Sequence, residues 1–487
     1  MPSKIVNDIM SAALDHQRAD GLKADDLEQL LTSGKLRELK ISKICVRNDQ
    51  LQAISQVLNF LKSGSEKLEI LHLTVFNHSL AWLRSEVSVA RTRSEVFVAR
   101  LRSEVAAALE NLLRNAPNLE DLHCCFSFDL KALRTCQKLR SLRLHFEPQQ
   151  HWYEFLAKEK DHFQTHKCLE FFTVCQIDEY ERIPYDDVAI ILRHCPALTS
   201  LGFIESSEAL SQLHRMGISP SELKLRHCFW RDREYDVAEY PSKQPNHDIH
   251  RVREAVVHYP MIEELDFHGC CLRSISCLRN LRNLVCLDIS LDDNISGVAF
   301  NDELQVIGPQ LKHLSLHTYS PMDISLLLQN CHNLESLRII GNHFSDFSYP
   351  VISLPNLQRL TFDYILEGAR RVFSLLSDCN RLTELFLLRA LHFDDQTLYY
   401  FLERNSLSNL KVAYLKWSRL SMQGFRKFLL NAPQLEIVEI RHYLLRENHF
   451  ERVISETNHR ALCNEGLLSE KDEFFGKRWD FYDCECY

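Results

Sequence analysis

Nine residues, taken at alternate positions from three similar segments, have side chains that could bind a metal ion or transfer protons. They are Glu264, Asp266, His268, Cys286, Asp288, Ser290, His313, Ser315 and His317. Imidazole nitrogens and carboxylate oxygens are ligands of zinc, and the same groups act as general acids and bases. Either chemistry requires the three segments to lie side by side with these residues on one face. A polar contact surface is the other interpretation, and the sequence favours it over metal binding or catalysis.

Each segment contains the phrase Leu-x-x-Leu-x-Leu, or a conservative variant, and this phrase recurs along the chain. The clearest copies, 23 to 28 residues apart, begin at Leu284, Leu311, Leu334, Leu357, Leu382, Leu410 and Leu435. Looser copies begin at Leu36, Leu68, Leu119, Leu139, Leu169, Leu198 and Ile262, with a degenerate one near Leu223. This spacing is typical of leucine-rich repeats, whose units are stable only when they stack on neighbours.

The phrase predicts a strand, and the residues before it predict a helix. Side chains of a strand alternate between faces, so the second and third Leu point inward and the residues between them point outward. Most phrases follow an apolar segment that ends in Asn, His or Asp and then Cys or Ala, as in RHCPAL and SDCNRL. The predicted fold class is α/β: a right-handed leucine-rich-repeat solenoid, shaped as a horseshoe or arc, with parallel concave strands and convex helices. It would bring the nine polar residues together on the concave face.

The repeats divide the chain into three expected regions. These are an N-terminal helical cap at 1–35, the solenoid at 36–443, and a C-terminal cap with an acidic, aromatic tail at 444–487. Insertions are expected near 83–109, 146–167 and 228–250. A solenoid of this length needs no further domain to complete its core.

Two of the insertions suggest contacts with a partner. Residues 83–109 are three near-identical nonapeptides, and nine residues advance a helix by two and a half turns, so no single buried face is expected. They are interpreted as a helical or loop extension, with a protruding arm as the alternative. The third insertion is interpreted as a flexible surface excursion, with a recognition loop anchored by Trp230 and Tyr235 as the alternative.

The outward positions of the last repeats are apolar rather than polar. They are Phe386, Leu388, Val412, Tyr414 and Ile437. Adjacent exposed apolar residues usually mark an interaction site, so we expect a protein-binding surface here. Two alternatives remain: the tail covers these residues through Phe474, Phe475, Trp479, Phe481 and Tyr482, or the register is shifted and they belong to the core.

Composition and motifs argue against several function classes. The 487 residues include 45% hydrophobic and 25% charged residues, with a net charge of -9, which favours a soluble protein without membrane spans and without nucleic acid as the main partner. The first residues do not resemble a secretory signal, so we expect a cytoplasmic or nuclear protein whose 17 Cys are reduced. Phosphate-binding glycine loops and hydrolase motifs are absent from the sequence, and we expect no enzyme activity, cofactor or metal.

The helix endings RHCPAL, NAPNL, NAPQL and QNCHNL, each followed by a repeat strand, carry a resemblance to a known class. They resemble the cysteine-containing, ribonuclease-inhibitor-like repeats of F-box leucine-rich-repeat proteins and of the leucine-rich-repeat receptors of cullin-two ligases, over residues 36–443. The resemblance implies a substrate-recognition subunit of a ubiquitin ligase, with a ligase adaptor and a substrate as partners. A recognisable F-box is absent, so an adaptor or regulator unrelated to ubiquitin is the alternative, and an enzyme or nucleotide-binding regulator a more distant one.

Overall fold

The structure is a computed structural model that divides into two compact units. It describes residues 37–44, 48–75, 91–126, 128–146, 165–176, 185–202, 206–218, 223–231, 248–270, 275–291, 297–318, 328–341, 352–363, 373, 376–389, 393–442, 447–457 and 462–463. The first unit comprises Met1–Leu225 with Lys471–Tyr487, and the second comprises Arg226–Glu470. The predicted N-terminal cap at 1–35 lies outside the described residues.

In the first unit, six parallel strands follow one another in chain order. They are β1 (Glu38–Ile44), β2 (Ile70–Val75), β3 (Asp121–Cys124), β4 (Ser141–Phe146), β5 (Phe171–Gln176) and β6 (Ser200–Gly202). The helices of this unit are α1 (Asn48–Leu61), α2 (Arg91–Arg114), α3 (Tyr185–Leu192) and α4 (Ser206–Arg215), with 3-10 turns at Lys62–Lys67 and Leu130–Thr135.

The second unit repeats the same plan with more strands. Its main sheet has the order β7 (His227–Arg231), β8 (Glu264–Cys270), β9 (Cys286–Leu291), β10 (His313–Thr318), β11 (Ser336–Gly341), β13 (Arg359–Asp363), β15 (Glu384–Leu388), β16 (Val412–Ser418), β17 (Ile437–His442) and β18 (Leu462–Cys463). The short strands β12 (Ile352–Ser353) and β14 (Leu376–Ser377) pair separately. The helices are α5 (Asp248–His258), α6 (Gly297–Ile307), α7 (Asp395–Arg404), α8 (Met422–Asn431) and α9 (Glu447–Glu456), with 3-10 turns at Leu278–Asn280 and Gly308–Gln310.

The predicted leucine-rich-repeat architecture of parallel strands and helices is therefore observed in each unit. The inward residues of the phrase form the core: Leu287 and Ile289 of β9, for example, are fully buried. The turn cysteines Cys195, Cys331 and Cys379 are also fully buried, as expected of small apolar residues at that position.

The beginning of most strands is fixed by a shared backbone acceptor. The carbonyl of Glu263 accepts hydrogen bonds from two successive N–H groups of the next repeat, those of Val285 at 2.8 Å and Cys286 at 3.1 Å. The carbonyl of Val285 in turn accepts from Lys312 and His313. We call this pattern the twinned hydrogen bonds. Because each pair locks two adjacent residues, it holds successive strands in register.

Two expectations from the sequence need correction. Residues 91–109 of the tandem nonapeptides belong to α2, and Leu101, Val105, Ala108 and Leu109 of the third copy are at most 5% exposed. A buried face therefore exists, because these four positions fall on one side of the helix, which packs against α1. Cys228 to Arg231, expected to start the third insertion, instead lie in β7, and Cys228 is fully buried.

Among the helices of the described residues, none combines the length and the apolar character that crossing a bilayer would demand.

Candidate binding face of the second unit

The main sheet of the second unit has one face whose residues alternate with the buried core, and we call it the open face. Strand pairing places one residue of each repeat in a continuous middle row. This row is Phe229, Asp266, Asp288, Ser315, Arg338, Thr361, Phe386, Tyr414 and Glu439. The alternation predicted from the sequence thus produces a mostly polar stretch at one end and an aromatic stretch near the other.

Four residues of the polar stretch form what we call the His/Asp cluster: Asp266, His268, Asp288 and His317. Ligating atoms of Asp266, His268 and Asp288 all lie within 4.8 Å of one another. Nε2 of His268 is 2.5 Å from Oδ1 of Asp266, and Nε2 of His317 is 3.2 Å from Oδ1 of Asp288. Stacking of the three segments thus brings imidazole and carboxylate groups close to one another.

The two carboxylates of the cluster are buried and differ in their electrostatic balance. Asp266 is 6% exposed and Asp288 is 9% exposed. Burial raises the pKa of Asp266, and the negative charge of Asp288 adds to this, while His268 and His317 only partly offset the shift. For Asp288 burial acts in the same direction, but His317, His268 and Arg338 outweigh it and lower the pKa of Asp288.

The remaining polar residues singled out by the sequence lie beside the cluster. Glu264 forms an ion pair with His227, with Oε1 and Nε2 3.1 Å apart. His313 is the register partner of Cys286, which pairs on its other side with Glu264. Burial lowers the pKa of His313, and Glu335 and Glu264 partly offset the effect. These residues extend the polar stretch without joining the His/Asp cluster.

The five outward apolar residues do come together on the open face, and we call them the apolar patch. The rings of Phe386 and Tyr414 are stacked, with centroids 5.0 Å apart and an interplanar angle of 9°. Val412 pairs with Ile437 in the neighbouring strand, and Leu388 lies two residues after Phe386 in β15, on the same face. Leu388, Val412 and Ile437 are partly exposed, whereas Phe386 is 8% and Tyr414 3% exposed.

The placement of the stack shows that the predicted register is right. Leu385, Leu387, Ala413 and Leu415, the chain neighbours of the two aromatic residues, form the core beneath them. Phe386 and Tyr414 therefore lie on the open face, and most of their surface is covered by the stack and its surroundings. Burial, then the carboxylates of Glu439 and Glu384, raise the pKa of Tyr414 and keep its hydroxyl neutral.

Ion pairs border the apolar patch, and sequence reasoning did not identify them. Nε of Arg359 lies 2.7 Å from Oε2 of Glu384, and Nζ of Lys416 lies 3.1 Å from Oε1 of Glu439. Glu439 could have been anticipated, since it occupies the middle-row position of its repeat. The sequence around Arg389 gives no comparable indication of its ion pair. Arg389 lies just after β15 with a positive φ of 52°, and its guanidinium donates hydrogen bonds to both carboxylate oxygens of Asp363, at 2.9 and 2.8 Å.

Some predicted binding residues cannot be placed on this face. Trp230 lies in β7, at the position between Phe229 and Arg231, and not on a loop. Tyr235 lies outside the described residues, as do Phe474, Phe475, Trp479, Phe481 and Tyr482 of the tail.

Comparisons with known proteins give structural likenesses only. The sequence matches no protein-family model. It also matches no curated protein sequence. The TLR13–ssRNA13 complex is similar at 16% sequence identity and a TM-score of 0.48, and the match covers 88% of this chain and 53% of that one. The Rad7 and Elc1 complex of yeast is similar at 13% identity and a TM-score of 0.40, and the match covers 92% of this chain and 86% of that one. Internalin C2 of Listeria monocytogenes is similar at 14% identity and a TM-score of 0.21, and the match covers 59% of this chain and 84% of that one. The chain thus spans about half the length of the TLR13 chain. Identities of 13 to 16% and TM-scores below 0.5 are too low to transfer a ligand or a partner to this chain.

Proposed function

We propose that this chain is a non-catalytic binding scaffold that holds a segment of a partner protein on the open face, at the apolar patch. The observation that carries the proposal is the stack of Phe386 and Tyr414 with the partly exposed Leu388, Val412 and Ile437 around it. A solvent-facing sheet surface would normally be polar, and preformed aromatic anchors are typical of the centre of protein interfaces.

The surroundings of the patch indicate the chemistry of the partner. Glu384 and Glu439 lie near the Tyr414 hydroxyl and raise its pKa. Their charges are paired with those of Arg359 and Lys416. The whole chain also carries a net charge of -9. A partner segment with an apolar side chain fits this charge-paired surrounding of the patch, and a net positive charge on the segment would speed its association with the chain.

A more specific role is a substrate-recognition subunit of a ubiquitin ligase, with an adaptor and a substrate as partners. Support for this comes from the helix endings, such as RHCPAL and NAPQL, which resemble those of ligase receptors. Recovery of an adaptor with the purified chain would support this role. Recovery of partners without any adaptor would instead favour a scaffold unrelated to ubiquitin.

The patch is tested by Ile437→Ser with Ile70→Ser as its matched control. Both residues are partly exposed and are the first residue of a strand, but Ile70 lies in β2 of the first unit. Partners recovered with the wild-type chain are purified and their affinities measured. We expect Ile437→Ser to weaken binding about tenfold or more and Ile70→Ser to leave it unchanged, with similar melting temperatures for both variants.

Unchanged affinity in Val412→Ser/Ile437→Ser would show that the patch does not bind the partner. A photo-crosslinker placed at position 437 distinguishes the remaining alternative. Crosslinks to residues after 464 of the same chain, with none to the partner, would mean that the tail covers the patch and that the proposal is wrong.

A further inference from the structure

We propose that Asp266, His268, Asp288 and His317 form a binding site for one divalent transition-metal ion, with zinc as the first candidate. The site lies on the open face at the His/Asp cluster and involves none of the residues of the apolar patch. It therefore goes beyond the proposed protein-binding role and does not depend on it.

The spacing of the ligating atoms suits such an ion. Zinc lies about 2.0–2.1 Å from imidazole nitrogen and carboxylate oxygen, so two ligands of a tetrahedral site are about 3.3 Å apart. Nε2 of His317 and Oδ1 of Asp288 are already 3.2 Å apart. Nε2 of His268 and Oδ1 of Asp266 are 2.5 Å apart, so this pair needs to open by less than about 1 Å.

These close approaches are ion pairs that do not have the geometry of hydrogen bonds. Oδ1 of Asp266 and Oδ1 of Asp288 are buried, and neither accepts a hydrogen bond within the described part of the chain, although an imidazole nitrogen is near each one. In the first unit, by contrast, Nε2 of His72 is hydrogen-bonded to Oδ2 of Asp121 at 2.9 Å. In the His/Asp cluster the contacts lack that alignment. Buried carboxylate oxygens without a donor are costly, and a cation between them and the imidazoles would satisfy both.

The charges of the two carboxylates also favour a bound cation. Asp266 and Asp288 are register partners on β8 and β9, so two buried carboxylates lie side by side. Because both side chains are at most 9% exposed, water screens the repulsion between their charges poorly. A divalent ion would remove this repulsion and allow both groups to stay ionised.

Neighbouring side chains hold the imidazole rings in place. Phe229 stacks on the ring of His268, with centroids 5.5 Å apart and an angle of 25°. Oγ of Ser315 lies 3.3 Å from Nε2 of His317. A metal ion at Nε2 would replace this contact, because the nitrogen has one lone pair for either partner. Such support of ligand rings by surrounding residues is common in metal sites.

The donor set restricts the kind of ion. Two imidazoles and two carboxylates suit zinc, cobalt, iron or nickel, whereas calcium and magnesium require six or more oxygen ligands. Because Asp266, Asp288 and His317 come from β8, β9 and β10, a bound ion would connect three successive repeats.

Metal titration of the full-length chain tests the site. The protein is stripped with EDTA, desalted and titrated with Co²⁺ and then Zn²⁺, with calorimetry for stoichiometry. The Co²⁺ absorption spectrum separates nitrogen and oxygen ligation from thiolate ligation, which matters because the chain has 17 Cys. We expect one ion without thiolate ligands, and a higher melting temperature when it is bound.

The variants are Asp266→Asn and His317→Gln, with Asp121→Asn as the matched control. Each cluster variant should weaken binding of that ion at least about tenfold, while Asp121→Asn should retain it. If Asp266→Asn does not fold, the His317→Gln variant tests the site, because the His317 side chain is 20% exposed and its replacement disturbs the fold less. Equal affinity and stoichiometry in the wild type and in His317→Gln, or thiolate-type spectra alone, would overturn the proposal. Ile437→Ser should still bind the ion, so failure of the protein-binding proposal would leave this result intact.

Discussion

The side chain of Asn405 accepts a hydrogen bond from the backbone N–H of Cys379, 2.9 Å away and one repeat earlier in the chain. The same side chain donates to the carbonyls of Leu376 and Phe401, both at 2.9 Å. Asn405 is 5% exposed, so water cannot replace these partners. A single amide therefore ties the end of α7 to the turn of the preceding repeat.

Asn405→Ala should lower the free energy of unfolding by about 3 kcal/mol, because three backbone groups lose a partner in a buried site. Urea unfolding measures the loss, and hydrogen exchange of the Cys379 amide should accelerate locally. Asn409→Ala is the control, since Asn409 makes one exposed hydrogen bond, to the carbonyl of Asn380. An equal loss of stability in both variants would contradict the role assigned to Asn405.

Gly424→Ala should destabilise the protein by about 1 kcal/mol, although alanine normally stabilises a helix. A methyl group at Gly424 would overlap the carboxylate of Asp395, which accepts a hydrogen bond from the N–H of Ser421 at 2.7 Å. Displacing the carboxylate breaks this link between α7 and α8. Thermal unfolding measures the change. In an Asp395→Ala background the alanine should no longer be harmful, and a penalty that persists there would rule out the proposed clash.

Asp121→Asn should destabilise the first unit at neutral pH by about 1–2 kcal/mol. Burial alone would raise the pKa of Asp121, but the hydrogen bond and charge of His72, with Ser141 and Arg143, outweigh it and lower the pKa below its usual 3.8. The folded state therefore favours the ionised form. Its contribution is complete above the unfolded-state pKa and disappears as the pH falls through the lower folded-state value.

The difference between wild type and Asp121→Asn should accordingly shrink when urea unfolding is repeated at decreasing pH below 5. Asp302→Asn, at an exposed position of α6, is the control and should change stability by less than about 0.5 kcal/mol. A difference that grows in acid would show that the carboxylate is destabilising in the folded protein.

Among the ten cysteines whose side chains the structure describes, alkylation of native protein should modify Cys168 first, because it is exposed. Burial raises the pKa of Cys124, Cys136, Cys331 and Cys379 to about 12, which leaves almost no reactive thiolate at these positions. Peptide mass spectrometry after a short iodoacetamide pulse identifies the order. After denaturation all 17 Cys should react. Stable disulfides in protein isolated with alkylating agent would refute the expectation of reduced thiols.

The sequence was sufficient to predict the features that depend on alternation. The inward Leu287 and Ile289, and the outward Asp288 and Tyr414, follow from the period of two within each phrase. Stacking the phrases in chain order then places Phe386 beside Tyr414 and Asp266 beside Asp288. The sequence therefore predicts which residues are neighbours on the open face.

Features that depend on side-chain geometry could not be predicted in this way. His268 lies where the register between β8 and β9 shifts, so its approach to Asp266 does not follow from regular pairing. Arg389 reaches Asp363 from a left-handed backbone conformation that no neighbouring residue signals. The strand β7 belongs to the degenerate repeat predicted near Leu223, but HCFWR lacks the leucines of the phrase, so the sequence places the start of the third insertion too early, within the strand.

The twinned hydrogen bonds also have a mechanical consequence. Within the described residues, each strand of the main sheet from β10 to β17 pairs with its two neighbours and with no other strand. Equivalent residues of successive strands, such as Leu314, Leu337 and Leu360, are 23 to 28 positions apart. If the second unit were stretched by its two ends, the load would fall on one strand pair at a time. Each rupture would release about 80–100 Å of chain. The sheet should therefore lengthen under tension in a series of similar steps, one for each repeat.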